Sequence, residues 1–331
     1  MQGLYSKYYH LRSRLKCLPG DAAWHLGLNR QLVKKARGCR ILVYHGICNS
    51  QPLLFNTLFL KLKSFEAQLR FYKKYFNMVS LDDYYHQRFS KEKFNICLTF
   101  DDGFANNYKY VLPLLEQYEI PAAFFITGIR ETGYDILWND VLSIAYKYGP
   151  KKITIEKEEY FKGREGKYKS SSTGELLVDI LRRTGFEQKA EMIKALGSYK
   201  DKTEKDYWLQ MTEQEIKLLS ANKWVTIGSH GYYHNDLSQI EAGKAKEEMI
   251  LSKQFLEKTT GKEIKALAFP YGCYTKEIVN EAKQSGFSQL LTTEFLFTGV
   301  TEDAMLRERL TINPFISDIN QMHANIAGNY K

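Results

Sequence analysis

Six short apolar runs recur along the chain, each closed by turn residues or charge: Arg40–Tyr44, Ile96–Phe100, Ala122–Thr127, Val225–Gly228, Ala266–Phe269 and Gln289–Thr293. Their length and bounding residues predict strands. Between them the period changes. Apolar positions Phe65, Leu69, Tyr72 and Phe76 predict a helix over 63–76, and Tyr110, Val111, Leu114 and Leu115 predict one over 107–118. Residues 241–259, rich in Glu and Lys, read as a solvated helix, and 275–285 as a helix capped by Thr275. Strands alternating with helices imply parallel βαβ units, hence an α/β fold. Polar residues stand where several strands end: His45, Asp101 with Asp102, His230, and the pair Pro270–Tyr271. In a (β/α) barrel the C-terminal rim is where ligand and catalytic groups converge, so this layout points to a barrel.

Two stretches break the alternation. Residues 130–210 hold Gly163, Gly166, Gly174 and Ser170–Ser172 amid many charges, and read as a partly helical insertion with a flexible loop near 162–174. Residues 1–38 mix Arg and Lys with Leu, Tyr and Trp24, and are expected to form a basic, aromatic helical extension, leaving 39–331 as the main domain. That extension could lie on a membrane surface, although packing against the domain is the simpler reading.

Composition adds little to this picture but removes several classes. The chain has 331 residues, 44% hydrophobic and 26% charged, which is the profile of a globular protein. Its 23 Tyr suit a partly wet surface that receives sugar rings, or they simply replace Phe in the core. The formal charge of +9 favours anionic surroundings, but Lys and Arg read as scattered, without a nucleic-acid-binding motif. Five unpaired-looking cysteines, Cys17, Cys39, Cys48, Cys97 and Cys273, fit a reducing compartment better than a disulfide framework. The first residues lack the apolar stretch of a signal peptide, and no run has transmembrane length. The expected location is therefore the cytoplasm, with peripheral membrane contact as a variant of it.

The chemistry lies in two motifs. The first strand-plus-acid motif, Asn95–Gly103, ends in Asp101-Asp102-Gly103. Neighbouring side chains leaving a strand point to different sides, so one carboxylate can bind a metal while the other faces substrate. A lone Asp-Asp-Gly is more often an acidic turn capping the next helix. The second motif places His230 and His234 four residues apart, which on a helix or tight turn puts both imidazoles on one side. Two His and one carboxylate leave coordination positions for water or substrate, as metal-assisted hydrolysis requires.

Together these segments carry a resemblance. Thr99–Gly103, Ser229–His234 and Phe269–Gly272 are similar, in order and spacing, to three signature motifs of the polysaccharide deacetylases, carbohydrate esterase family 4. The similarity spans roughly residues 40–315, with 130–210 as a variable insert. It implies a distorted (β/α) barrel that removes acetyl groups from N-acetylated sugars. Residue by residue, it implies Asp101 as general base, Asp102, His230 and His234 as metal ligands, and the Tyr271 backbone N–H, after Pro270, as oxyanion donor. The metal would polarise the amide carbonyl and lower the pKa of its bound water. Zinc is the default for two His and one Asp, with Fe²⁺, Co²⁺ and Ni²⁺ admitted by the same donors.

Two departures from the family pattern matter. Ala268 and Phe269 stand where many members have an Arg that steadies the base, and Arg309, in Arg307–Ile312, is the expected substitute. Leu310–Ile312 stands where many members supply an acid His. An amide nitrogen leaves poorly unless protonated, so an acid is needed. His45, in Val43–Gly46, ends the first strand and resembles the acid of the poly-β-1,6-N-acetylglucosamine deacetylases. Tyr232 and Tyr233, between the two ligand His, are expected to offer a ring to a sugar. Trp138-Asn139-Asp140 could line the groove, although packing is the simpler reading, and His10, His25, His86 and His323 read as structural or solvated. The expected activity is metal-dependent N-deacetylation of a GlcNAc-type polysaccharide or lipid-linked sugar. Its rivals are an amidohydrolase acting on a small non-sugar amide and an inactive glycan-binding protein.

Overall fold

The computed structural model describes residues 17–297 and 303–330; the start of the N-terminal extension, with His10, lies outside them. Seven parallel strands close into a barrel: β1 Cys39–Tyr44, β2 Asn95–Phe100, β3 Ala122–Ile126, β4 Val225–Ser229, β5 Ala266–Ala268, β6 Gln289–Thr292 and β7 Leu306–Thr311. Closure comes from β1, which pairs with β2 from Cys39↔Asn95 to Tyr44↔Phe100 and with β7 from Ile41↔Arg309 to Val43↔Thr311. The short strand Asn77–Met78 adds to the N-terminal end of β2. The six expected strands are present, and β7 is a seventh, which charged Arg307, Glu308 and Arg309 concealed. The expectation of an α/β barrel holds.

Both faces of the closed sheet are buried, which is why its strands read as continuous apolar runs. Ile41, Cys97, Ala123, Phe125, Ala266, Ala268 and Leu291 pack together inside the barrel. Their alternate neighbours Leu42, Ile96, Leu98, Phe124, Leu267 and Leu290 face the helices outside. The four expected helices appear as Leu62–Tyr75, Leu112–Tyr118, Ala242–Thr260 and Lys276–Gln284. Thr275 caps the last by accepting from the Ile278 N–H at 3.1 Å. The second is preceded by a π-helical turn, Asn107–Val111, next to the Asp-Asp pair.

The insertion forms a second core cluster together with Cys48, Phe55, Phe59 and Phe104. Helices Trp138–Tyr148, Leu177–Arg182 and Phe186–Leu196 pack with an antiparallel sheet of Lys152–Ile155, Glu158–Lys162 and Tyr168–Ser170. Trp138, Tyr168, Met192 and Leu196 are buried among them. The stretch expected as a flexible loop at 162–174 is instead a hairpin turn followed by that third strand. Glycine and serine do signal turns, but here the hydroxyls have a partner. Glu158 Oε1 accepts from Ser170 Oγ at 2.7 Å and from Ser172 N and Oγ at 3.0 and 2.9 Å. These bonds pull the Glu158 carboxyl down to about 2.

Among the described residues, no helix is long and apolar enough to cross a membrane.

Candidate active site

Every expected rim group leaves the C-terminal end of its own strand. Alternation along β2 turns Cys97 and Thr99 inward, and Asp101 follows them. Its backbone N–H bonds to Tyr44 O at 3.0 Å, extending the β1–β2 ladder by one residue. The chain then turns sharply, with φ of 76° at Asp102 and 80° at Gly103. A Cβ at Gly103 would lie 2.9 Å from Ile126 Cγ2, so glycine is required there. The two carboxylates therefore separate in direction, as the strand geometry predicts.

Asp102 meets both histidines. Its Oδ1 lies 3.4 Å from His230 Nε2 and 3.2 Å from His234 Nε2. One donor atom from each of the three residues falls within 4.8 Å of the others, and all three side chains are buried. His230 Nδ1 lies 2.8 Å from Ala268 O. A carbonyl only accepts, so Nδ1 carries the proton and Nε2 presents its lone pair to the centre of the triad. His234 Nδ1 lies 3.1 Å from Tyr271 Oη, a hydroxyl that can accept from a protonated Nδ1, the tautomer in which Nε2 presents its lone pair to the same centre. Two imidazole nitrogens and one carboxylate oxygen fit a borderline divalent ion. Burial pushes the Asp102 carboxyl up, but the two imidazoles beside it outweigh that and hold the group well below the usual carboxylate range.

Asp101 meets a different partner. Arg309, projecting from β7 into the barrel, grips it with Nη1–Oδ1 and Nη2–Oδ2 both at 2.7 Å, and Nη1 also donates to Thr99 Oγ1 at 3.2 Å. Both residues are buried, and the guanidinium lies over the Phe125 ring at 5.4 Å. Burial raises the Asp101 carboxyl, yet Arg309 and then His230 bring it below its ordinary value.

These groups open onto one cleft of about 480 Å³, lined by His45, Asp101, Asp102, His230, His234 and Tyr271 among others. His45 is half-buried and its Nδ1 has no partner. Burial lowers its pKa, against an upward pull from Asp102 and Asp101. Tyr271 takes a left-handed φ of 60° in the turn after Pro270, which is buried. Three of the seven described non-glycine residues at positive φ, Asp102, His234 and Tyr271, thus belong to this site. Such strain persists only where surrounding contacts hold it, and it gathers at functional sites.

The two tyrosines go elsewhere. Neither Tyr232 nor Tyr233 lines the cleft. Tyr233 stacks on Phe186 of the insertion at 4.5 Å, and Tyr232 packs against Gly128 and edge-on to Phe255. In their place the cleft receives Asn56, Asn139, Asp140, Ser143 and Arg182. Trp138 is packing, as expected, and its Nε1 bonds to His234 O at 3.4 Å. Its neighbours are not. Asn139 Oδ1 and Asp140 Oδ2 are buried without partners at the cleft wall. Burial, with Asp102 nearby, pushes the Asp140 carboxyl well above its ordinary value. The Trp-Asn-Asp run was the only sequence signal for this wall.

Beneath the ligand loop lies a buried polar chain. Lys189 Nζ donates to Asn235 Oδ1 at 2.5 Å and Thr184 O at 3.1 Å, and Asn235 Nδ2 donates to Glu248 Oε2 at 2.8 Å. Glu248 Oε1 accepts from the backbone of Tyr233 and Asn235. Gly231, at φ 75°, lets this loop pass 2.8 Å from Glu248 Oε1, measured from where a Cβ would stand.

Comparison with known proteins agrees with this geometry. The family model for polysaccharide deacetylase matches residues 89–155 and 175–290, leaving out the second and third strands of the insertion's sheet. A Bacillus subtilis protein named for a polysaccharide deacetylase, YxkH, is 20% identical over 77% of this chain, which spans 64% of that relative's length. Among solved structures, the Streptococcus pyogenes deacetylase PplD in complex with acetate superposes with a TM-score of 0.53 at 19% identity, over 87% of this chain and 97% of its own. IcaB from Ammonifex degensii gives 0.53 at 17% identity, over 88% and 98%. A polysaccharide deacetylase from Bacillus cereus gives 0.54 at 19%, over 87% and 68%. These likenesses carry the fold, and the match to more than half of the chain carries the family: this chain belongs to the polysaccharide deacetylases.

Proposed function

We propose that the chain is a metal-dependent carbohydrate N-deacetylase, with residues 39–331 as its catalytic unit. Its substrate would be an N-acetylated glycan of the GlcNAc type or a lipid-linked precursor of one. The observation that carries this reading is the division of labour between the adjacent carboxylates: Asp102 faces two imidazoles and Asp101 a guanidinium.

Asp102, His230 and His234 would hold one divalent ion, zinc by default, which when bound supplies Lewis-acid polarisation of the scissile carbonyl. Asp101 takes a proton from the attacking water at a carboxylate oxygen. Arg309 keeps that carboxylate ionised and fixes its plane, so its rotamer is set before substrate arrives. As the water oxygen bonds to carbon, the backbone N–H of Tyr271 meets the developing oxyanion. The C–N bond then breaks, and the nitrogen takes a proton from His45, leaving acetate and an amine. Burial keeps the His45 ring neutral at rest, so the proton that Asp101 takes from the water passes on through solvent in the cleft to His45 before it reaches the nitrogen, and the neighbouring carboxylates favour that imidazolium. Asn139 and Asp140 stand in the cleft wall that would take the sugar ring, each with a buried oxygen that has no partner.

The test is acetate release from a panel of N-acetylated oligosaccharides and lipid-linked sugars, with and without added divalent metal. Wild-type enzyme is expected to release acetate from at least one of them. His45→Ala should lower turnover by about 10²–10⁴-fold with bound metal unchanged by elemental analysis. Near-wild-type deacetylation by that variant would remove His45 from the mechanism. Release from simple amides but from no sugar would favour an amidohydrolase.

A further inference from the structure

The net charge of the chain is not spread evenly. Residues 1–38 hold eight Lys or Arg against one acid, Asp21, which is a net +7 of the formal +9. The described part of this segment is helical at residues 17–25 and again at Arg30–Lys35. It also has two apolar sides. One faces the body of the protein. Cys17 and Val33 are buried, and Trp24 packs on Phe71 and Tyr75 at ring distances of 5.2 and 5.7 Å. Polar bonds pin that side. Asn29 Nδ2 lies 2.9 Å from His323 Nε2, and Asp21 Oδ1 accepts from Ser317 Oγ at 2.6 Å and Asn320 Nδ2 at 2.8 Å.

The other side faces solvent. Leu18, Leu26, Leu28 and Leu32 are 57, 74, 72 and 67% exposed. Arg30, Lys34, Lys35 and Arg37 follow closely in sequence, also exposed, and none makes an ion pair among the described residues. The segment's one acid is turned inward. Four leucines held in water cost free energy unless something covers them. The cover must accept both aliphatic side chains and a cluster of cations without offering cations of its own. A nucleic acid would neutralise the charge but leave the leucines wet. The boundary between acyl chains and anionic headgroups takes both.

We infer that the N-terminal extension docks on an anionic lipid bilayer and holds the protein at a membrane surface, with the leucines below the headgroups and the cations among them. The inference is independent of the deacetylase reading, because no residue of the catalytic cleft takes part. Being pinned to the body, residues 17–37 arrive already shaped, so binding does not spend free energy on folding them.

The experiment is flotation of the full chain with vesicles of phosphatidylcholine alone or mixed with phosphatidylglycerol. The expected result is flotation with the mixed vesicles only, weakened by salt. Lys34→Glu with Lys35→Glu and Arg37→Glu should lower the bound fraction at least about tenfold, given the attraction of each cation to an anionic leaflet. Leu26→Glu with Leu28→Glu should do the same. These positions are solvent-facing, and single Leu26→Glu replaces the pair if the pair lowers the melting temperature. Failure of the wild-type chain to float, equal flotation by both variants, or a wild-type dimer that the leucine variants dissolve would overturn the inference, the last by assigning the face to a second copy.

Discussion

The barrel rim and the insertion meet at one cleft, yet they contribute in opposite ways. The rim supplies the groups that do chemistry, each at the end of a strand and each inside a short motif. The insertion supplies a wall and a clamp, through Asn139, Asp140, Arg182 and Lys189, none of which belongs to such a motif. The rim is rigid because a closed sheet holds every strand end in register. The ligand loop after β4 carries His230 and His234 and leaves the sheet, so it needs outside support. The insertion gives that support through Lys189, the Trp138–His234 bond and the Phe186–Tyr233 stack. In the proposed mechanism, chemistry thus comes from the frame, while the insertion supports the loop of His230 and His234 and forms the cleft wall.

The sharpest way to break this contrast is Arg309→Met. It leaves Asp101 buried and uncompensated, and removing one partner of such a pair costs about 3–5 kcal/mol. Asp101 has a depressed pKa in the folded protein, so its stabilisation is present above the unfolded carboxylate value and lost as pH falls through the lower folded value. The gap between wild type and variant in urea denaturation should be widest near neutrality and close below about pH 4. A gap that does not change with pH would mean that Arg309 acts by packing alone.

A smaller effect is expected in the clamp. Lys189 is fully buried, and burial draws its pKa down to about 8 despite pulls from Glu248 and Asp236. Lys189→Met keeps the volume but leaves Asn235 without its donor. Metal affinity, read by chelator competition, should weaken by about 10–100-fold, the usual cost of losing a group that orients a ligand. An unchanged affinity would confine the insertion to the wall.

The smallest effect tests that wall. Asp140→Asn exchanges a carboxyl for an amide of the same shape. It should lower kcat/KM on the preferred N-acetylated sugar by about tenfold, the worth of one hydrogen bond of ~1.5 kcal/mol, with metal affinity unmoved. A matching fall in metal affinity would move Asp140 from the sugar to the metal.

The rim was legible in the sequence because local pattern carries it. Apolar runs mark the strands, and acids or histidines placed just beyond their ends mark a rim. β7 was missed as a strand because Arg307 and Arg309 interrupt the apolar pattern, although Arg309 was identified as the partner of Asp101 by the family's missing arginine. Tyr232 and Tyr233 show the limit of spacing arguments. Their place between two ligands suggested a cleft position, but a loop with Gly231 at φ 75° turns their rings outward, where Phe186 and Phe255 receive them. The loop expected at 162–174 shows the limit of composition, since a single carboxylate, Glu158, converts a serine run into an anchored strand end.

By itself the sequence determined the alternation of strands and helices, the candidate ligands Asp102, His230 and His234, and the adjacent second carboxylate. All of these depend on neighbours within a few positions, where covalent geometry and side-chain period leave few choices. The tertiary structure alone decided which partner each carboxylate meets, since Arg309 reaches Asp101 across 208 positions only because β1 closes the sheet between β7 and β2. It also decided the left-handed turns at Asp102, His234 and Tyr271, and it brought Asp140 and Lys189 to the site. A contact between distant segments has no local signature, because its free energy is realised only once the core between them has packed.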